Sequence, residues 1–100
     1  MLILPIKKLW FDMIHSGRKQ EEYREIKPYY RTKLINEGFL DSQGNPTPLK
    51  DWIILRNGYS KKSPSFIAYC QLSIKEGNPE WGATPNMKYY AFRILEVKEK

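Results

Sequence analysis

One hundred residues hold one hydrophobic core and exclude a second domain of independent stability, so residues 1–100 are read as a single domain. With 41% apolar residues the chain can bury enough surface to fold, which excludes a disordered polymer, and its single cysteine excludes an intrachain disulfide or a multi-cysteine metal site. Seventeen basic against eleven acidic residues leave +6, a charge that attracts polyanions, nucleic acid first and an anionic membrane surface second.

Leu2, Ile3, Leu4 and Ile6 form a short apolar run broken by Pro5, which cannot donate to a ladder and so marks an edge strand. From Lys8 to Ser16, the offsets of Leu9, Trp10, Met13 and Ile14 predict a helix with one apolar face, stopped by Gly17. His15, in its last turn, reads as a surface histidine. Gln20 to Ile26 suits an extended segment, with Tyr23 and Ile26 favouring it and the charges opposing it. Lys27 and Pro28 open a second helix through Ile35, and Gly38 closes it.

Phe39 to Leu49, containing Ser-Gln-Gly-Asn-Pro-Thr-Pro, is a loop. Trp52 to Leu55 predicts a strand ending at Asn57-Gly58, and Ser60 to Pro64 a polar turn. In the next strand, Phe66 to Ile74, alternation puts Phe66, Ala68, Cys70, Leu72 and Ile74 on one face. Gly77 to Asn86 is a loop around Trp81, and Tyr89 to Val97 is a last strand, apolar on both faces. The expected class is α+β, mainly β: a curved, mostly antiparallel sheet of about five strands closed into a small barrel, with two short helices at its ends.

The run Met1 to Ile6 is too short for a signal-peptide core, its positive charges follow it, and no stretch nears the roughly twenty apolar residues of a membrane span. With Cys70 alone, a reducing cytoplasmic setting and no membrane association are expected. The paired lysines Lys7, Lys8, Lys61 and Lys62, with Lys98 and Lys100, read as solubility devices.

Glycine-rich phosphate loops are absent, Gly58, Gly77 and Gly82 being isolated, and neither a zinc site nor a GxSxG nucleophile elbow can be assembled. No metal or cofactor is expected. There remains GRKQEEYR, Gly17 to Arg24, five charges hard against apolar sequence. On one reading the Lys19 ammonium simply satisfies the carbonyls at the helix end. On the other, Glu22 and Arg24 share a strand face two residues apart, so that Glu22 orients Arg24 in a cleft and Lys19 adds charge at its rim. Lys27, Tyr29, Tyr30, Arg31 and Lys33 interleave cations with rings, a pattern suited to bases and phosphates. Tyr30 and Leu34 read there as core, while Tyr29 and Arg31 stay open to either role. Trp81, between Pro79 and Gly82, is either a lid ring over a ligand or a plug at the barrel mouth.

Gly17, Lys19, Glu22 and Arg24 match GxKxxExR, and with ILPIKK, YREIKPYY, DWIILRNG and YYAFRI around it the chain resembles small single-domain ASCH proteins of bacteria and phages. The resemblance implies a PUA-like barrel whose motif lines a cleft for RNA or a nucleotide. Gly17 is then the positioning turn, and Lys19, Glu22 and Arg24 line the cleft, with Tyr23, Tyr29, Arg31 and Trp81 as further binding candidates. It also implies a rival enzymatic reading, since some ASCH proteins are N4-acetylcytidine amidohydrolases using the motif lysine, a threonine and a glutamate, and others are ribonucleases. Lys19 matches that lysine. Glu22 stands where those amidohydrolases carry the threonine, and Glu76 and Glu80 are candidates for the partner glutamate.

Overall fold

The computed structural model describes residues Met1–Lys100. Its elements follow in chain order as β1 (Ile3–Pro5), α1 (Lys8–His15), β2 (Glu21–Arg24), α2 (Pro28–Asn36), β3 (Lys50–Arg56), β4 (Ser65–Glu76) and β5 (Lys88–Glu99). A single 3-10 turn, Pro79–Trp81, lies in the loop between β4 and β5. The fold is α+β and mostly strand, as expected from the sequence.

One five-stranded sheet runs in the order β1-β3-β4-β5-β2. β1 pairs in parallel with β3, and the other three pairings are antiparallel. Pro5 accordingly sits on an edge, where its missing N–H costs no ladder bond. The sheet curls so far that its two edges, β1 and β2, face each other as a half-barrel. No backbone ladder closes them. A side chain does: Arg24 Nη2 on β2 donates to the Pro5 carbonyl on β1 at 2.9 Å.

The concave side holds the core. Leu4, Ile53, Leu55, Phe66, Cys70 and Phe92 on the strands pack with Ile14 of α1 and Leu34 of α2. The alternation expected in β4 is present from Phe66 to Leu72, while Ile74, on the same side beyond the core, is exposed. In α1 the inward face carries Phe11, whose ring lies 4.8 Å from that of Phe66, and Ile14; Leu9 is exposed instead of buried. β5 buries Tyr89, Tyr90, Ala91 and Phe92 in succession. The reason is a second cover: the loop after β4 folds over the outer side of β5, with Thr84 N–H donating to Tyr89 Oη and the Tyr23 ring 5.5 Å from that of Tyr89.

Gly17 ends α1 with φ +85°, a left-handed conformation costly for any side chain, although an added Cβ would meet nothing there. Its amide donates to Ile14 O and that of Lys19 to Met13 O. The carbonyls at the helix end are therefore satisfied by backbone, and the Lys19 ammonium is left for another task.

Phe92 is fully buried and meets Phe39 edge-on with ring centres 5.7 Å apart. Phe92→Ala should cost about 3–5 kcal/mol, lowering the urea midpoint without changing the slope of the transition. An unchanged midpoint would contradict this placement of the core.

Candidate functional site

The seam between β1 and β2 opens into a cleft of about 450 Å³. Its floor is the charged trio of the GRKQEEYR stretch. Lys19 and Glu22 are the two charged residues buried in the chain, 1% and 6% exposed. Lys19 Nζ donates to Glu22 Oε1 at 2.9 Å, and Arg24 Nη2 donates to Glu22 Oε2 at 2.7 Å. One carboxylate thus bridges two cations, each oxygen taking one. The strand register explains it: Glu22 lies opposite Phe92 and Arg24 opposite Tyr90, so both side chains fall on the same side of β2.

Rings close around this floor. Lys19 Nζ lies 5.2 Å from the ring centre of Trp10 and 5.0 Å from that of Tyr23, so the ammonium is held between two aromatic faces. It also donates to the Trp81 carbonyl at 3.0 Å, a bond that spans 62 positions of sequence. Gly82 follows at φ +95°, and a Cβ there would stand 3.0 Å from the Trp10 indole. Both the backbone turn and the close approach require glycine at that position.

Burial presses the Lys19 ammonium to lose its proton and lowers its pKa below the usual lysine value, with the Glu22 charge and hydrogen bond opposing the shift and Arg24 adding to it. An ammonium has three donors, of which Glu22 and the Trp81 carbonyl take two. Arg24 keeps capacity at its other end. Nη2 is spent on Glu22 and Pro5, whereas Nη1 makes a single long contact of 3.4 Å to Tyr30 Oη, and Nε is buried without a partner. Chemically, the floor offers a guanidinium edge and a buried amine with one donor unassigned beside one carboxylate, under aromatic walls. That arrangement suits an anionic group attached to a flat ring.

Of the residues singled out in the sequence, Lys19, Glu22, Tyr23, Arg24 and Trp81 come together at the cleft. Tyr23 leaves β2 on the side opposite Glu22, yet its ring reaches the amine. Gly17 acts from outside as the turn. Tyr29 and Arg31 lie away from the cleft: the Tyr29 ring packs against Tyr30 and under Lys33, and the Arg31 guanidinium rests on Gly44. Glu76 and Glu80 are exposed and line none of it. His15 is at the far end of α1, paired with Glu99.

Sequence reasoning did not assign Trp10, Tyr30 or Thr84 to the cleft, nor Lys7 and Lys27 at its mouth. Trp10 and Tyr30 resembled core by helical spacing, and only the fold shows that each is half-buried with a side facing the cleft. No three His, Cys, Asp or Glu side chains gather closely enough to hold a metal ion, and no helix is long and apolar enough to cross a membrane. No family model, curated protein or solved structure matches the chain.

Glu22→Gln leaves the buried Lys19 and the partly buried Arg24 without their anion, and a broken buried pair costs about 3–5 kcal/mol. Lys19→Met leaves Glu22 still bonded to Arg24 and relieves the burial of an ammonium, so its thermal midpoint should stay much closer to that of the wild type. The reverse order would show that Glu22 is not the bridge.

Tyr23 Oη donates to Glu21 Oε1 at 2.6 Å and accepts from Asn78 N–H at 2.9 Å. Burial first, then the Glu21 bond, raises its pKa well above the ordinary 10.0. A phenol whose folded pKa is raised adds stability that is complete below its unfolded pKa and is lost as pH climbs beyond it. Tyr23→Phe should therefore be less stable than the wild type near neutrality, with the gap narrowing above pH 10 in urea melts. A gap that widened there would reverse the sign.

Proposed function

We propose that the cleft binds single-stranded RNA or a nucleotide, in the manner of an ASCH domain. One observation carries this reading: the Lys19–Glu22–Arg24 trio forms the floor of a cleft lined by Trp10, Tyr23, Tyr30 and Trp81. Bases stack on rings at about 1–3 kcal/mol each, and cations meet the phosphates. Lys7 and Lys27, exposed at the mouth, add to the field of a chain whose net charge is +6. The match of Gly17, Lys19, Glu22 and Arg24 to GxKxxExR supports the same reading by resemblance.

A second reading has its own observation. A buried amine with a lowered pKa, hydrogen-bonded to a carboxylate, has the attributes of a general base or nucleophile. On it, the protein is a hydrolase of N4-acylated cytidine or a ribonuclease, Lys19 being the reacting group and Glu22 moving the proton. With Glu76 and Glu80 outside the cleft, Glu22 is the carboxylate within reach of Lys19.

Binding of labelled single-stranded RNA should weaken steeply as salt rises, because neutralised phosphates release counterions. Replacing both mouth lysines, Lys7→Ala with Lys27→Ala, should lower the salt slope by about 0.7 for each phosphate that is no longer neutralised, and Trp81→Ala should weaken binding at every salt concentration. An affinity indifferent to salt and to all three changes ends the binding reading. For the enzyme, product release from N4-acetylcytidine or labelled RNA must exceed that of a folded Lys19→Met control; equal rates remove it.

A further inference from the structure

The cleft does not end at Arg24. A second hollow, of about 470 Å³, lies on the other side of Lys7, Trp10, Glu22 and Arg24 and shares all four with the first. Its far wall is the turn between β3 and β4, with Asn57, Gly58 and Tyr59. Each hollow falls within the roughly 300–1,000 Å³ of small-ligand sites, and together they form a trough along the open seam of the sheet.

Tyr59 is the decisive residue. It is 90% exposed, the most exposed large apolar or aromatic side chain of the chain, and so contributes nothing to the core. Its turn is nevertheless fixed: Asn57 N–H donates to the Pro64 carbonyl, Ser63 N–H to the Ser60 carbonyl, and Lys62 N–H to Ser60 Oγ. An ordered turn therefore presents a bare ring to solvent. Exposed cations stand near both ends of this hollow: Lys7 and Lys8 line it, while Lys61 and Lys62, outside its lining, follow Tyr59 after Ser60 in the same turn. Lys8 is tied to Asp12 at 2.7 Å, which leaves Lys7, Lys61 and Lys62 without acidic partners. A ring flanked by unpaired lysines, at the end of a trough whose other half is already cationic and ring-walled, complements a flat base between two phosphates.

We infer that the ligand is an oligonucleotide rather than a mononucleotide, with one nucleotide in the cleft over Arg24 and its chain neighbour in the second hollow, its base stacked on Tyr59. The inference rests on the reading of the cleft as an RNA site and adds the length of ligand and a second subsite. It gives work to Lys61 and Lys62 and to the Asn57-Gly58 turn, which the cleft alone leaves unused.

Titration of the intact protein with a cytidine or adenosine monophosphate and with single-stranded RNA of two to six nucleotides separates the possibilities. The expected result is an affinity at least tenfold tighter for the oligomers than for the monophosphates. Tyr59→Ala, together with Lys61→Ala and Lys62→Ala in a second variant, should remove most of that gain while leaving monophosphate binding unchanged. These side chains are exposed, so circular dichroism and the thermal midpoint should stay at wild-type values. Oligomer and monophosphate binding of equal strength, or a length gain untouched in both variants, overturns the second subsite and leaves the cleft reading standing. No binding of either ligand overturns both. Tyr59-dependent binding to vesicles of anionic phospholipid, without any length gain on RNA, assigns the turn to a membrane surface and overturns the inference as well.

Discussion

A carboxylate withdrawn from water has to be met by positive charge, and the way Glu22 is met organises the open side of this fold. Its two oxygens take a lysine from the turn after α1 and an arginine two residues along its own strand. The same arginine reaches across to the Pro5 carbonyl, joining the two sheet edges that share no ladder. Charge pairing thus takes the place of the missing strand–strand bonds. It links the edges at one point while leaving room beside that point for a cleft.

Such a link is a poor choice if stability were its only purpose. Desolvating three charges costs several kcal/mol per ion before their mutual attraction offsets it, and well-packed apolar residues of similar volume are often at least as stable. The trio also leaves loose ends, a buried Arg24 Nε without a partner and an Nη1 held only by a long contact. Those loose ends belong to a residue that lines the cleft, whereas the Phe92–Phe39 contact in the core is ring against ring. Polar groups left incompletely paired beside a cavity are what a ligand site requires.

Much of this was legible along the chain because the governing signals are local. Pro5 marked an edge strand, Gly17 and Gly38 the ends of helices, and the alternation from Phe66 to Leu72 a one-sided strand; each is a rule about a few neighbouring residues. The pairing of Glu22 with Arg24 was legible for the same reason, being a matter of strand period. The task of Lys19 was not. Helix-end chemistry assigned its ammonium to free carbonyls, but backbone amides reached them first, a competition that spacing cannot decide. Tyr29 and Arg31 were read from composition, and composition does not say which side of α2 faces the seam; Tyr30 does. Trp10 was read as core because helical offsets separate an apolar face from a polar one, not a packed ring from one that walls a cleft.

Trp81 shows what long-range contact adds. As sequence it fitted both a lid and a plug, and its position follows from its backbone as much as from its ring. Its carbonyl is one of two groups holding the Lys19 ammonium, and the glycine after it is seated against Trp10. Lifting that loop would strip a buried cation of half its hydrogen bonds and at the same time uncover the indole beneath, so the loop acts as a fixed wall and not as a flap. Access to the floor is then from the side of Lys7 and Lys27, two exposed lysines that line the mouth. On the proposed reading, an anion arriving there would meet the exposed lysines first and the guanidinium second, an order that favours fast, salt-sensitive capture followed by selection at the rings.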